Sequence, residues 1–191
     1  MTALLRLAIR ASYYPSLAFN RLMCGLGVWN LWNWIDDWVL LGAMPIRRNF
    51  IDLQSMNVGG VVNLCDEPCY AASLPQRYRI ELLCLPTMDY HCPTVEQLVE
   101  GLRFIERMRV LGKKCYLHCK AGRGRSATLA LCYLMQTRHL RASEALAALA
   151  AARPHLAHGL DRRPAVLEIE RMIQRGELEV TATQSAASSP T

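Results

Sequence analysis

The sequence contains no Cys-x-x-Cys pair, and no two histidines lie at a metal-ligand spacing beside its cysteines. This absence argues against a zinc site, and we expect the protein to need no metal or other cofactor. The eight cysteines lie mostly inside apolar runs, which is typical of buried thiols in a reducing compartment rather than of a disulfide framework. They occupy positions 24, 65, 69, 84, 92, 115, 119 and 132.

Lysine is scarce: only 3 of the 22 basic residues are Lys, and the 19 arginines are spread along the chain. The formal net charge is +6, but no segment gathers the positive charge that a nucleic-acid binder presents. Positive charge clusters only in short groups, at residues 47–48, 113–114, 120–125 and 162–163, which fit anionic substrates or lipid head groups better. We expect a monomer that does not bind nucleic acid.

No uncharged run is long enough to cross a bilayer, since the longest, residues 22–35, has 14 residues and a spanning helix needs ~20. Residues 1–35 nevertheless contain no Asp or Glu, and all four tryptophans lie nearby, at positions 29, 32, 34 and 38. Because Trp favours the membrane–water boundary, we expect residues 1–35 to form an arm that attaches to a membrane surface. Two alternatives are a hydrophobic helix packed on the domain and an organelle presequence.

No internal repeat interrupts the remaining sequence, and a hydrophobic content of 52% excludes a disordered chain. Short apolar runs alternate with helical patterns over residues 36–176, which predicts an α/β domain with a central four- or five-stranded, mostly parallel sheet flanked by helices. The Ser-, Thr- and Ala-rich residues 177–191 predict a disordered tail. Strands are predicted at 38–42, 61–65, 80–85 and 115–118, and helices at 94–111, 126–135, 142–153 and from Pro164 to before Gly176.

Residues 118–126, His-Cys-Lys-Ala-Gly-Arg-Gly-Arg-Ser, form a glycine-bearing loop between an apolar strand and an apolar helix. In such a loop the backbone N–H groups point inward at a helix N-terminus, which makes a site for an anion such as phosphate. The same amides, the helix dipole and Arg125 should lower the pKa of Cys119 and make it a nucleophile. Arg125 can offer its planar guanidinium to two phosphate oxygens.

A His, the Cys, five residues, an Arg and a Ser in this order resemble the signature of the protein-tyrosine-phosphatase superfamily. The resemblance implies that Cys119 displaces a phosphoryl group from its ester and that water then hydrolyses the phosphocysteine, without a metal. It also implies that Ser126 helps the sulfur to leave and that His118 holds the loop, although Ser126 as a helix cap and His118 as a core residue remain alternatives. The substrate-binding residues would be Lys120, Ala121, Gly122, Arg123, Gly124 and Arg125.

The same family carries an Asp on a loop roughly 30 residues before the cysteine, where it protonates the leaving oxygen. Asp89 lies 30 positions before Cys119, between a predicted strand and the helix predicted from Thr94. This places Asp89 at the carboxyl edge of the sheet, beside the cysteine loop. Asp66 and Glu67, on the loop after the second predicted strand, are the competing acids, and an ordinary turn residue is the other reading of Asp89.

About 140 residues follow the arm, a size that resembles the compact dual-specificity branch of the superfamily. Segments 35–45, 63–70 and 118–128 look like the phosphatidylglycerophosphate phosphatases related to the mitochondrial protein-tyrosine-phosphatase-like enzyme, and the likeness extends over residues 13–175. It implies the hydrolysis of phosphatidylglycerophosphate to phosphatidylglycerol, a step of phospholipid biosynthesis, at the cytoplasmic face of a bacterial membrane or the mitochondrial inner membrane. Lys120 and Arg123 suit a head group with a second phosphate. A phosphoinositide phosphatase and a dual-specificity protein phosphatase remain the alternatives.

Overall fold

The computed structural model describes residues 13–178, in which a five-stranded sheet is flanked by seven helices. The strands are β1 Trp32–Trp34, β2 Val39–Gly42, β3 Val58–Cys65, β4 Glu81–Thr87 and β5 Lys114–His118. The helices are α1 Tyr13–Gly25, α2 Asn49–Ser55, α3 Ser73–Gln76, α4 Val95–Val110, α5 Arg125–Arg138, α6 Ala142–Ala152 and α7 Pro164–Gln174, and a 3₁₀ turn, Leu160–Arg162, precedes α7.

The strand order in the sheet is β1-β2-β5-β3-β4. Strands β2, β5, β3 and β4 pair in parallel, and only β1 is antiparallel, on the edge beside β2. The predicted α/β architecture with a mostly parallel sheet is therefore confirmed. All four parallel strands point their carboxyl ends toward the same edge, which is where ligand sites form in such sheets.

Both faces of the sheet are covered at the central strands β2, β5 and β3, which explains why these strands are mostly apolar rather than alternating. In β5, Cys115 and Leu117 pack into the large core formed with α4, α5, α6 and α7, whereas Tyr116 between them points to the opposite face. That second face is filled by α2 and its neighbours, including Phe50 and Leu53. Alternate residues of one apolar run thus enter two different cores.

The predicted helices lie where the sequence signals place them. Thr94 caps α4 through a capping box with Gln97, and Pro164 occupies the first turn of α7. Helix α5 has eleven fully buried residues and passes through the centre of the domain. Its burial on all sides matches its almost wholly apolar sequence.

Two elements at the start of the domain were not predicted from their own sequence pattern. Strand β1 spans only three residues, and α2 spans seven, so neither is long enough to show a reliable period. Strand β1 also lies within residues 1–35, so the sheet begins before the predicted boundary at residue 36. Strand β3 begins at Val58, three residues earlier than predicted: Gly60 pairs with both neighbouring strands, and a register shift against β5 accommodates Gly59.

Helix α1 packs on the domain, as one of the alternatives for the arm proposes. Asn20 is buried and its side chain donates to the backbone oxygen of Lys120 at 3.4 Å, and Arg21 donates to the oxygen of Met44. Among the helices of residues 13–178, none has the length and hydropathy that a membrane span requires. The rest of the predicted arm, residues 1–12, and residues 179–191 of the predicted tail 177–191 lie outside the described residues. Of the first two tail residues, Leu178 is buried against the core, and its backbone oxygen accepts from the Gln136 side chain.

Candidate active site

Cys119 follows the last residue of β5 and lies at the carboxyl edge of the sheet, at the start of the loop that leads to α5 at Arg125. The side chain is almost completely buried, and its sulfur accepts hydrogen bonds from the Gly122 amide and the Ser126 hydroxyl, both at 3.3 Å. The predicted loop thus surrounds the sulfur with donors. The arrangement stabilises a negative charge on sulfur more than a neutral thiol.

Opposing effects act on the pKa of the Cys119 thiol. Burial alone raises the pKa, but the Arg125 guanidinium, the hydroxyl and amide of Ser126 and the amide of Gly122 outweigh burial and hold the pKa below its ordinary value. A larger fraction of the thiol is therefore ionised near neutral pH than in a free cysteine. A thiolate is the nucleophilic form of this side chain.

Arg125 opens α5 and is held in place by two carboxylates and one backbone oxygen. Its two terminal nitrogens donate to the Glu67 carboxylate at 2.7 and 3.2 Å, and one of them also donates to the Thr87 oxygen at 2.7 Å. The other nitrogen lies 3.0 Å from the Asp89 carboxylate. A guanidinium fixed in this way presents its donors in a set plane, which suits two oxygens of a phosphoryl group.

Asp89 lies on the loop after β4, as predicted, and its carboxylate contacts both Lys120 and Arg125. The loop therefore reaches over the cysteine loop and places a carboxyl group at the mouth of the site. Of the two competing acids, Asp66 is exposed, and Glu67 is the bidentate partner of Arg125. Only Asp89 of these three lines the cavity above Cys119.

His118 is fully buried at the end of β5, where its Nε2 lies 2.8 Å from the Tyr70 hydroxyl. Burial lowers the pKa of His118 to about 3, so the imidazole is neutral at physiological pH. A neutral imidazole without solvent access cannot exchange protons with a substrate in the cavity. The geometry favours a role in holding the loop.

The cysteine loop is fixed from behind by Arg153, which is 6% exposed and follows α6. Its guanidinium donates to the backbone oxygens of Gly122 at 2.9 Å and Ala121 at 3.1 Å, and to the Asn33 side chain at 2.6 Å. Binding these carbonyl oxygens on the outside leaves the loop amides pointing inward. Gly122 is itself required, because its φ is +71° and an added Cβ would lie 2.3 Å from the Gly42 oxygen.

The loop opens into a cavity of about 680 Å³. The arm and the segment between α6 and α7 both contribute to its walls, and they meet where the Trp29 and His155 rings are in contact. The predicted site residues that line it are Asp89, Cys119, Lys120, Ala121, Arg123, Gly124 and Arg125, joined by Ser16, Phe19, Asn20, Trp29, Tyr90, His91, Arg163 and residues 154–158. Gly122, Ser126 and His118 lie behind this surface, where they support the sulfur and the loop backbone.

The arrangement combines an activated thiol, a fixed guanidinium and a carboxyl group around one cavity, which are the parts that phosphoryl transfer to a cysteine needs. No three His, Cys, Asp or Glu side chains in the described part of the chain come together so that they could hold a metal ion.

Three supporting residues escaped the sequence analysis or were given another role there. Glu67 was considered as an acid, whereas the structure pairs it with Arg125. Tyr70 and Arg153 showed no local signal, because each reaches the loop from a segment more than 30 residues away in the chain. The only hint was position: Tyr70 follows the strand next to β5, and Arg153 lies between the end of α6 and Pro154.

Comparisons with known proteins identify the family of the chain. The model of the dual specificity phosphatase catalytic domain matches residues 49–172. The chain is 35% identical over 167 residues to phosphatidylglycerophosphate phosphatase PTPMT2 of Arabidopsis thaliana, covering 85% of this chain and 73% of that protein. It is 36% identical over 166 residues to phosphatidylglycerophosphatase and protein-tyrosine phosphatase 1 of Homo sapiens, covering 81% and 83%.

Among solved structures, the crystal structure of PTPMT1 in complex with PI(5)P superposes with a TM-score of 0.72 at 30% identity, over 78% of this chain and 99% of that one. The family match spans the cysteine loop, Asp89 and Arg125 together. The chain therefore belongs to the dual specificity phosphatase family of phosphoric monoester hydrolases.

Proposed function

We propose that this protein is a cysteine-dependent lipid phosphatase that hydrolyses the terminal phosphate monoester of phosphatidylglycerophosphate and releases phosphatidylglycerol. The observation that carries the proposal is the buried Cys119 sulfur, held between the donors of its loop and opposite Arg125. The names of the Arabidopsis and human relatives, which cover most of this chain, supply the substrate.

In the first step the Cys119 thiolate attacks phosphorus, so that an S–P bond forms as the P–O bond to glycerol breaks. Arg125 and the loop amides bind the three equatorial oxygens, whose charge they stabilise. Asp89, at the cavity mouth, gives its proton to the departing glycerol oxygen. In the second step water, deprotonated by Asp89, attacks the phosphocysteine and releases inorganic phosphate, while the Ser126 hydroxyl supports the departing sulfur.

A membrane surface is the second part of the proposal, and exposed apolar side chains of the arm support it. Phe19, Leu22, Leu26 and Val28 are each more than half exposed. Phe19 also lines the cavity. A lipid whose acyl chains stay in the bilayer could thus enter the cavity with its head group alone. Trp32, Trp34 and Trp38 contribute less to such a surface, because they lie in or beside the sheet.

The test is phosphate release from a lipid panel presented in mixed micelles: phosphatidylglycerophosphate, phosphatidic acid, phosphoinositides and, separately, phosphopeptides. We expect the highest kcat/KM on phosphatidylglycerophosphate. Faster turnover of phosphoinositides would favour the second candidate function, which the PI(5)P complex of PTPMT1 supports. Faster turnover of phosphopeptides would reject a lipid substrate altogether.

Replacing Asp89 with Asn should slow hydrolysis in a way that depends on the leaving group. We expect a loss of about 10²-fold or more on phosphatidylglycerophosphate, whose alkoxide needs a proton, and a much smaller loss on p-nitrophenyl phosphate, whose phenolate leaves without one. The measurement is kcat/KM on both substrates.

Glu67→Gln is the matched variant for Asp89→Asn, because Glu67 also contacts Arg125. Glu67→Gln should loosen Arg125 and therefore lower kcat/KM by the same factor on both substrates. If Glu67→Gln instead showed the leaving-group dependence and Asp89→Asn did not, the proton donor would be Glu67.

A further inference from the structure

Trp29 lies on the short segment between α1 and β1 and forms part of the cavity wall. Its ring is held on two sides: the Phe19 ring meets it edge to face at 5.6 Å, and the His155 ring lies at 5.7 Å. Its amide donates to the Met23 oxygen at 3.3 Å, which closes the end of α1. The indole is therefore a fixed surface and not a loose arm residue.

The Arg123 guanidinium lies on this indole, with its central carbon 3.7 Å from the ring centroid. Cation–π stacking uses the flat face of a guanidinium, and the N–H donors lie in the plane of the group. The stack therefore restricts the orientation of Arg123 while its donor edge stays available for anion oxygens. The Arg123 backbone is fixed as well, since its oxygen accepts from the Ala157 amide at 2.9 Å.

Arg123 differs in its partners from Lys120 and Arg125, the other cations of the cysteine loop. Lys120 is paired with Asp89, Arg125 is paired with Glu67, and Arg163 donates to the Thr128 hydroxyl at 2.6 Å. In the described part of the chain no carboxylate contacts the side chain of Arg123 or of Arg163, and of these two only Arg123 belongs to the cysteine loop. A half-buried cation without a counter-charge, facing a substrate cavity, suits an anionic group of the substrate.

We infer that Trp29 positions Arg123 as a second anion subsite, which binds the phosphodiester of a head group whose terminal monoester lies at Cys119. The inference rests on the proposed function and deepens it, because it makes the arm part of substrate selection as well as membrane attachment. Trp29 is a positioning residue that acts through Arg123. The subsite distinguishes a head group with two phosphates from one with a single phosphate.

The test uses water-soluble substrates, so that membrane binding by the arm does not enter the measurement. One is the deacylated head group, glycerophosphoglycerol phosphate, and the other is glycerol 3-phosphate, which has the monoester only. We expect Trp29→Leu to raise KM for the head group by at least about tenfold while kcat changes by less than about twofold. KM for glycerol 3-phosphate should stay within about twofold of wild type.

Three further variants separate positioning from a general structural effect. Trp29→Phe keeps an aromatic face and should restore most of the lost affinity. Trp34→Leu removes an exposed Trp that stacks on Lys114 away from the cavity, and should leave both KM values unchanged. Arg123→Gln should raise KM for the head group as Trp29→Leu does, and the double variant should be no worse than Arg123→Gln alone.

The outcomes distinguish the role of Trp29, the anion subsite at Arg123 and the proposed function. If Trp29→Leu raised both KM values together, or if its effect added fully to that of Arg123→Gln, Trp29 would not act through Arg123 and the inference would fail. If wild type hydrolysed the head group but Arg123→Gln did so with an unchanged KM, the subsite would be excluded while the proposed function stood. If wild type hydrolysed p-nitrophenyl phosphate but not the head group, both would fall.

Discussion

Replacing Cys119 with Ser should reduce kcat on phosphatidylglycerophosphate by at least about 10⁴-fold. The hydroxyl occupies nearly the same volume, but its pKa is far too high for the loop amides and Arg125 to ionise it. Binding should persist, because the donors that hold the phosphoryl oxygens are unchanged. The measurement is single-turnover phosphate release, together with calorimetric binding of the deacylated head group.

Cys84→Ser is the matched control for Cys119→Ser, since Cys84 is an exposed thiol on β4 outside the cavity. It should retain wild-type turnover. Iodoacetamide adds a pH test: because the pKa of Cys119 lies below its ordinary value, its alkylation should continue as the pH falls below the range where Cys84 still reacts. If the Cys119→Ser variant hydrolysed the substrate at the wild-type rate, this sulfur would not be the nucleophile.

The cysteine loop was predictable because its parts are contiguous in the chain. Residues 118–126 carry the sulfur, the glycine, the guanidinium and the hydroxyl within one strand-loop-helix unit, so their order alone defines the anion site. Asp89 was predictable from the neighbouring strand, since the carboxyl ends of parallel strands meet at one edge.

The supporting contacts were not predictable, because tertiary pairing decides them. Glu67 and Arg125 are 58 residues apart in the chain and meet only because β3 and β5 are neighbours in the sheet. The strand order in the sheet differs from the order of the strands in the chain. Tyr70 reaches His118 for the same reason. The apolar pattern of each strand predicts that the strand is buried but does not determine which strand pairs with it.

The arm shows the same limit in another form. Its composition, with no acidic residue before Asp36, favours a membrane surface. Composition alone cannot show that Trp29 faces Arg123 or that Asn20 contacts the loop backbone. The arm forms part of the cavity wall, and we propose that it also attaches to a membrane. Because both roles would rest on the same residues 13–35, variants of individual residues are needed to separate them.

Replacing Arg125 with Lys should lower kcat by at least about 10²-fold although the positive charge is kept. Arg125 uses its planar fork to bind Glu67 and the Thr87 oxygen at the same time, and an ammonium group has no such plane. The phosphoryl oxygens would therefore lose their oriented donors in the transition state. Arg125→Gln, which removes the charge as well, should be slower still and should also raise the pKa of Cys119.

The matched control for Arg125→Lys is Arg107→Lys, because Arg107 makes a similar two-nitrogen contact with Glu81 on the exposed surface. An exposed pair of this kind contributes little, so activity and stability should stay close to wild type. If Arg125→Lys retained wild-type kcat, charge alone would suffice for catalysis. The bidentate geometry around Glu67 would then serve only the fold.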